Sequence, residues 1–399
     1  MSGTSSVQLP AEPAGDLLPD ASAWGLDPDF AYLNHGGFGA APLCVQTEQQ
    51  AVRDEMERNP VGFLVRRLPG LLAGVRAQLA AFLNADEAGL VFVDNATTGT
   101  QTVISHIRLG PGDEVLTTDH CYGAALAQLR RTVDAAGATL RVVPIPMPAA
   151  SGEAVAASVL AGLTARTRLL VVDHIASCSG LVFPVEEIAA ECSRLGVSIL
   201  VDGAHATGQV PVDLQRLGAD FWTGNLHKWV SAPKASAVLH AAPQWRDSLR
   251  PLVASHGLLD GYHPAFDWTG TRDPSSLLAV PAALSFFARA GWQNVRAHNN
   301  DLARRGAELV GRVLGSQTGA AAGLAAAMHI VQLPRELTEA EARSLETRLF
   351  DEYRVVVPVT FLGGYRWLRL SAQLYNTLDD YARLADALAP AHLGALISA

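Results

Sequence analysis

The chain contains almost no lysine. Of its 30 basic residues only two are lysine, Lys228 and Lys234, and they lie six positions apart. Codon bias in a GC-rich genome accounts for the depletion but not for the place where the two lysines stand. Arginine replaces lysine at solvated positions, yet its guanidinium stays protonated and cannot serve as an amine nucleophile. A retained lysine therefore indicates a chemical role, and Lys234, next to a proline, reads as a surface residue.

Cysteine clusters, basic clusters and long apolar runs are also missing. The four cysteines lack C-x-x-C spacing, which argues against a bound metal ion and against a disulfide framework. A net charge of −9 without basic clusters argues against nucleic acid as a partner, because phosphate neutralisation needs concentrated positive charge. The uncharged run 313–334 is too weakly apolar to span a membrane, and the first thirty residues do not resemble a secretory signal. These features predict a cytoplasmic enzyme that acts on a small molecule.

The pattern of apolar residues predicts an α/β fold. Between residues 90 and 240, short β-branched runs alternate with helical patterns, which is typical of a parallel sheet covered by helices. The clearest unit is a strand at 168–174, a helix at 184–195 ended by Gly196, and a strand at 197–202. After residue 275 the pattern changes to a smaller α+β arrangement. We therefore predict an N-terminal segment, a large domain and a small C-terminal domain, at residues 1–29, 30–275 and 276–399.

An acidic residue and a lysine follow two successive strands of the predicted sheet. Asp202 closes the apolar run VSILVD, and Lys228 follows the strand-like segment ADFWTG. A buried carboxylate is costly unless a cation meets it. A protonated pyridine nitrogen is such a cation, and the pair makes the heterocycle an electron sink for a carbanion at the substrate Cα. The stretch therefore favours pyridoxal 5'-phosphate (PLP) on Lys228 over a simple loop or capping role for Asp202.

Eight motifs in chain order resemble the class V aminotransferase family of fold-type I PLP enzymes, and in particular its isopenicillin N epimerase-like members. The resemblance implies a large domain with a mixed, mostly parallel sheet and a smaller α+β domain. The motifs are YLNHGGFGAAP (32–42), DNATTG (94–99), DHCYGA (119–124), DHIASCSGLVFPV (173–185), VDGAHATG (201–208), TGNLHKW (223–229), WTGTRDP (268–274) and RLSAQLYNT (369–377).

The resemblance also implies which residues hold the cofactor. Lys228 would form a Schiff base with PLP and shuttle a proton, Asp202 would contact the ring nitrogen, and His205 would contact the phenolic oxygen. Tyr122 would stack on the ring, and Thr271 would reach the phosphate of a neighbouring subunit, which implies a homodimer with shared active sites. The remaining cofactor contacts would come from Ala96, Thr97, Thr98, Asn225 and His227. Residues 96–98 would hold the phosphate at a helix N-terminus, where free N–H groups favour an anion, although their hydroxyls could equally be helix caps.

Three residues outside that set are candidates for binding an amino-acid substrate. Strand alternation places Arg369 on the same face as an aromatic residue, and a guanidinium there suits a clamp for the substrate α-carboxylate. Such a clamp also sets which Cα bond stands perpendicular to the ring and breaks. Asn34 and His35 resemble the substrate-facing N-terminal segment of the family.

The reaction itself stays open at the level of sequence. Epimerisation needs a proton donor opposite Lys228, for which His35, His256 and His263 are candidates. The alternatives are C–S β-elimination, or decarboxylation with oxidative deamination, on a cysteine conjugate. Transamination and a non-catalytic binding role rank lower. Desulfuration is disfavoured because no cysteine follows Cys192.

Two of the four cysteines lie close to the predicted pocket in the sequence. Cys121 and Cys178 fall beside the expected site, and we interpret both as inert packing residues.

A nicotinamide-dependent enzyme would share the sheet pattern, but no G-x-G-x-x-G follows the early strands.

Overall fold

The computed structural model describes residues 18–334 and 337–389. Its strands are β1 Ala31–Tyr32, β2 Leu90–Val93, β3 Glu114–Thr118, β4 Thr139–Val143, β5 Thr167–Asp173, β6 Ser198–Asp202, β7 Phe221–Asn225, β8 Ala237–Ala241, β9 Met328–Gln332, β10 Val355–Val356, β11 Val359–Leu362 and β12 Tyr365–Ser371.

The α-helices of the described residues are α1 His35–Phe38, α2 Leu43–Arg58, α3 Leu68–Phe82, α4 Ala96–His106, α5 Gly123–Ala136, α6 Gly152–Leu160, α7 Val185–Leu195, α8 Leu214–Leu217, α9 Pro243–Arg246, α10 Tyr262–Asp267, α11 Ser275–Leu278, α12 Val280–Ala290, α13 Trp292–Leu314, α14 Glu339–Tyr353 and α15 Leu378–Ala387. Short 3₁₀ turns lie at Ala21–Ala23, Glu87–Gly89 and His256–Leu259, and Gly62–Arg67 is π-helical. No helix in the described part of the chain combines the length and the apolar character needed to cross a bilayer.

A seven-stranded sheet forms the centre of the larger part of the molecule. Its strand order is β2-β8-β7-β6-β5-β3-β4, and the run from β7 to β4 is parallel, whereas β8 is antiparallel to both of its neighbours. Strands such as β2 are buried along their whole length, as expected for a sheet covered by helices on both faces. The mixed, mostly parallel sheet confirms the predicted fold class.

The clearest predicted unit agrees with the structure to within one residue at each boundary. The predicted strands at 168–174 and 197–202 are β5 and β6, and the predicted helix between them is α7. Gly196 ends α7 in the left-handed region, with φ 69°, and its N–H bonds to the last turn of the helix. Glycine adopts that conformation without the steric cost that a Cβ imposes.

The smaller part is built on a three-stranded antiparallel sheet in the order β11-β12-β9. Helix α13 packs closely on α15 because Gly306 leaves room for the ring of Tyr381, where a Cβ would meet ring carbons 2.3 Å away. The short strand β1 pairs in parallel with β10, so the N-terminal segment is tied to this part. The exact domain boundaries at 29/30 and 275/276 stay a prediction.

These connections bring three separate segments to one edge of the large sheet. Strands β5, β6 and β7 are parallel neighbours, so their carboxyl ends lie together. The N–H of Ser371, at the end of β12, bonds to the carbonyl of Leu33 at 2.9 Å. The segment 33–41 and strand β12 therefore lie side by side where the large sheet ends.

Candidate active site

A cavity of about 570 Å³, part of it open to solvent, lies at the carboxyl ends of β5, β6 and β7. Eight of the residues that the sequence predicts for a PLP site line it: Ala96, Thr97, Tyr122, Asp202, His205, Asn225, His227 and Lys228. The lining residues that the sequence analysis did not assign are Gly37, Phe38, Asn95, Asp173, Ser177 and Ala204.

The amine of Lys228 lies against a buried imidazole. Its Nζ is 2.9 Å from Nε2 of His205, a side chain that is 1% exposed. Burial, assisted by the positive charge of Arg369, lowers the pKa of Lys228 to about 8, although the carboxylates of Asp202 and Asp173 partly oppose this shift. A lysine with such a pKa loses its proton readily near neutral pH and becomes a nucleophile for an aldehyde.

Two carboxylates, Asp202 and Asp173, end neighbouring parallel strands and lie opposite each other in the sheet register. Both are buried and both line the cavity. Burial raises the pKa of Asp202, and burial together with the charge of Asp202 raises the pKa of Asp173 well above its usual value. Asp202 Oδ1 accepts one bond, from the N–H of Ala204 at 3.0 Å. A cation entering the cavity would stabilise the ionised form, and a pyridinium nitrogen fits that need.

Asp173 is a lining residue that the sequence did not predict, because the end of β5 was interpreted only as the end of a strand. A signal was present, since Asp173 opens the DHIASCSGLVFPV motif and closes the strand that precedes α7. Two acids that close adjacent parallel strands must meet at the same edge of the sheet.

The N-terminus of α4 forms the other end of the cavity. Asn95 caps the helix by accepting from the Thr98 N–H at 2.9 Å, and Asn225 Oδ1 accepts from the Ala96 N–H at 2.8 Å. Within the described residues, the N–H and the hydroxyl of Thr97 have no acceptor, and Thr97 lines the cavity. Free N–H groups at a helix start suit a phosphate. The residues present therefore fit both the ring and the phosphate of PLP.

Thr98 completes the cap of helix α4. Its hydroxyl donates to Asn95 Oδ1 at 3.2 Å, and it lies outside the cavity lining. These bonds stabilise the start of the helix, and the phosphate contact of Thr98 stays a prediction.

Arg369 is a buried cation that has no carboxylate within ion-pair distance among residues 18–334 and 337–389. Its Nη1 donates to the Ser177 carbonyl at 2.6 Å, and its Nη2 donates to Asn34 Oδ1 at 2.8 Å. Its Nε is buried without an acceptor. Burial lowers the pKa of Arg369, but a guanidinium stays charged at neutral pH. Arg369 is not itself in the cavity lining, but Ser177, which accepts from it, is, so an anion such as a substrate carboxylate entering beside Ser177 would satisfy this group.

His35 lies behind the cavity, and the predicted substrate contact of His35 is not supported. It is fully buried, with Nδ1 2.8 Å from the hydroxyl of Tyr375 and Nε2 3.0 Å from the carbonyl of Lys228. Burial lowers the pKa of His35 to about 3, so the ring is neutral and a poor proton donor. His35 therefore positions the backbone of the lysine, and Asn34 acts through Arg369 rather than at the cavity wall.

Three other predicted residues lie outside the cavity lining. Thr271 is exposed, and the adjacent Arg272 forms an ion pair with Asp94 at 2.7 Å, which holds this segment beside the start of α4. Its contact with a second subunit stays a prediction. The two remaining candidate proton donors, His256 and His263, are absent from the cavity lining.

Neither Cys121 nor Cys178 lines the cavity. Burial raises the pKa of both thiols, that of Cys178 to about 12. A protonated thiol is a weak nucleophile, which agrees with a packing role for both.

Comparisons with known proteins support the same assignment. The profile of the family "Aminotransferase class-V" matches residues 61–337. A putative L-cysteine desulfhydrase from Oryza sativa subsp. japonica is 33% identical over 398 residues, covering 90% of this chain and 82% of that protein. The isopenicillin N epimerase of Amycolatopsis lactamdurans is 34% identical over 395 residues, covering 92% and 98%.

A solved structure of the C–S lyase C-DES, with glycine covalently linked to its PLP cofactor, superimposes with a TM-score of 0.78 at 22% identity, covering 93% of this chain and 99% of that one. At that identity the likeness shows the shared fold. The family match and the donor set around Lys228 agree with it. The chain therefore belongs to the class V aminotransferase family and is a PLP-dependent enzyme of fold type I.

Proposed function

We propose that the enzyme removes the Cα proton of an amino acid bearing a free carboxylate and then eliminates a sulfur leaving group from Cβ. The single observation that carries this proposal is the set of titratable groups in the cavity. Among the described residues, Lys228 is the one amine in the lining, and the candidate second proton donors His35, His256 and His263 lie outside it. Two histidines do line the cavity, but His205 contacts Lys228 itself, and burial lowers the pKa of His227 to about 4, which makes it a poor proton donor. β-Elimination needs one base at Cα, whereas two-base epimerisation needs a second on the opposite side.

Each step of the elimination can be assigned to a group of this chain. When bound, PLP delocalises the electron pair left at Cα. Lys228 Nζ, with its lowered pKa, takes the Cα proton and then gives it to the departing sulfur. For cysteine, the Cα–H and Cβ–S bonds break and water completes the reaction, so that one cysteine and one water give sulfide, ammonia and pyruvate.

The substrate carboxylate is proposed to bind near Arg369. Asn34 and Ser177 hold two arms of the guanidinium in place, and the buried Nε has no acceptor of its own. A fixed guanidinium orients the carboxylate, and this orientation selects the Cα–H bond for cleavage.

Epimerisation is the second candidate, and the 34% identity with an isopenicillin N epimerase favours it. It becomes possible with Lys228 alone if the proton is returned to the opposite face after the substrate turns in the cavity. The desulfhydrase relatives at 33% and 31% identity favour the lyase to a similar degree. We rank the lyase first because the candidate second proton donors His35, His256 and His263 lie outside the cavity lining.

The two reactions are separated by incubating the holoenzyme with L-cysteine, L-cystine, S-alkyl cysteines and L-alanine in deuterated water. The lyase proposal expects pyruvate and ammonia in equal amounts from all the sulfur substrates, together with sulfide from L-cysteine, a thiol from the S-alkyl cysteines and cysteine persulfide from L-cystine, and no inverted amino acid. Deuterium at Cα with inversion and no fragments would overturn it in favour of the epimerase. Lys228→Ala serves as the control that abolishes either reaction.

We also propose a homodimer in the cytoplasm. Phe38 lines the cavity yet is 70% exposed on a single chain, and Thr271 is exposed beside the phosphate end. A second copy of the chain would cover both. Light scattering of the purified holoenzyme tests the dimer, and a monomer at micromolar concentration would exclude shared active sites. Cell fractionation tests the location.

A further inference from the structure

Trp229 contacts the side of the His205 ring that faces away from Lys228. The indole Nε1–H of Trp229 donates to His205 Nδ1 at 3.4 Å, while His205 Nε2 lies 2.9 Å from Lys228 Nζ. Trp229 and His205 are 2% and 1% exposed. The three side chains therefore form one hydrogen-bonded row that runs from the protein interior to the cavity.

The indole restricts which nitrogen of His205 can carry the proton. A neutral imidazole has one N–H and one acceptor nitrogen, and an indole N–H can only donate. The contact therefore requires Nδ1 as the acceptor and places the ring proton on Nε2. The opposite tautomer would bring two N–H donors face to face in the protein interior. Two buried donors without acceptors carry a free-energy cost, which disfavours that tautomer.

A doubly protonated ring would meet the same conflict at Nδ1. The charged and titratable groups around His205 are Lys228, Arg369, His227 and His35. Burial is the main cause that lowers the pKa of His205 well below its usual value, and the charges of these neighbours add to the effect. The ring is therefore neutral, and the choice between its two tautomers is the one that Trp229 decides.

We propose that Trp229 is a positioning residue that fixes His205 as the Nε2–H tautomer, so that His205 donates into the cavity toward Lys228 and the cofactor that Lys228 binds. In this tautomer Nε2 cannot accept from an ammonium group, but it can donate to the lone pair of an uncharged amine. The row therefore favours the form of Lys228 that attacks an aldehyde. With the cofactor in place, the same N–H is available to an oxygen that carries negative charge.

The molecule contains a matched control for this arrangement. Trp222 Nε1–H donates to His174 Nδ1 at the same distance, 3.4 Å, and Trp222 is also fully buried. Neither Trp222 nor His174 lines the cavity. A loss of stability that comes only from removing a buried indole N–H will appear in the variants at both sites. A shift in the absorption of the cofactor will appear only in the variant at Trp229.

The experiment uses four holoenzymes besides the wild type: Trp229→Phe, Trp222→Phe, His205→Gln and the double variant His205→Gln/Trp229→Phe. The readout is the pH midpoint of the change in the visible absorption of the bound cofactor. We expect Trp229→Phe to raise this midpoint by about half to one pH unit, because a weakened donor stabilises the deprotonated, more negative form less. Trp222→Phe should leave the midpoint unchanged.

The double variant separates tautomer selection from a general structural role. A glutamine amide has no tautomer to select, so Trp229→Phe should cause no further shift in the His205→Gln background. The same shift in both backgrounds, or no shift in the single variant, would overturn the proposal.

A measurement on the unmodified protein keeps the test valid if Trp229→Phe does not fold. The ¹⁵N chemical shifts of the His205 ring, assigned by their loss in His205→Gln, report which nitrogen is protonated. We expect the proton on Nε2, and a proton on Nδ1 contradicts the proposal.

Discussion

The two ends of the active site are assembled in different ways. At the cofactor end, Asp202, His205 and Lys228 come from a single stretch of chain that crosses two adjacent strands. At the carboxylate end, Arg369 is held by Ser177 and by Asn34, which are more than 190 and 330 residues away in sequence. The first end depends on local order along the chain, and the second depends on tertiary packing. Substitutions at the cofactor end should therefore affect cofactor attachment and proton transfer, whereas substitutions at the carboxylate end should affect substrate binding.

The largest effect is expected for Lys228→Ala. Removing the amine removes both the attachment point of the cofactor and the base, so turnover should fall at least about a thousand-fold. Borohydride reduction followed by peptide mapping should find the cofactor on the peptide containing residue 228 in the wild type and nowhere in the variant. Lys234→Ala is the matched control, and equal losses in both lysine variants would remove the assignment.

Arg369→Ala should weaken substrate binding while leaving the cofactor in place. The loss of one charge-assisted contact to a carboxylate predicts a rise in KM of roughly 10- to 100-fold. The wild-type absorption spectrum should persist. A substrate analogue without the carboxylate, such as an amine, should lose little. If Arg369→Ala instead released the cofactor, the two ends would not be functionally separate.

The cofactor end should also give the apoenzyme a pH-dependent stability. Burial lowers the pKa of Lys228 to about 8 in the folded state, whereas an unfolded lysine titrates near about 10.4. Between these values the unfolded chain binds more protons, so the free energy of unfolding should rise with pH, by about 2 kcal/mol between pH 7.5 and 9.5. Urea unfolding of the apoenzyme measures it, and Lys228→Met should abolish most of the rise.

Asn34→Ala should have the smallest effect of the four. It removes one neutral acceptor from Arg369, which predicts a rise in KM of about fivefold with kcat nearly unchanged. Asn34→Asp sharpens the test, because a carboxylate at this position would pair with Arg369 and compete with the substrate. It should therefore raise KM more than Asn34→Ala does, and the reverse order would contradict the clamp.

The difference between the two ends also explains what could be predicted from the sequence. The strand–acid–strand–lysine pattern made the fold and the Lys228 cavity predictable, because neighbouring parallel strands end at one edge of the sheet. The contacts of His35 could not be predicted, because adjacency to Asn34 does not fix the direction of a side chain at the start of a one-turn helix. Periodicity put Arg369 on an inner face, but its partners Ser177 and Asn34 emerge only from long-range packing.

The backbone bond between Ser371 and Leu33 has a consequence for motion in the enzyme. Through it, and through the pairing of β1 with β10, Asn34 and Arg369 belong to one mechanical unit, whereas Ser177 belongs to the large sheet. Any rotation of the smaller part would carry Asn34 and Arg369 together. The contact between Arg369 and Ser177 is one of the contacts that join the two parts, beside the bond from the Thr360 hydroxyl to the Cys178 carbonyl. A fluorophore or isotope label across it would therefore test whether substrate capture changes the position of one part relative to the other.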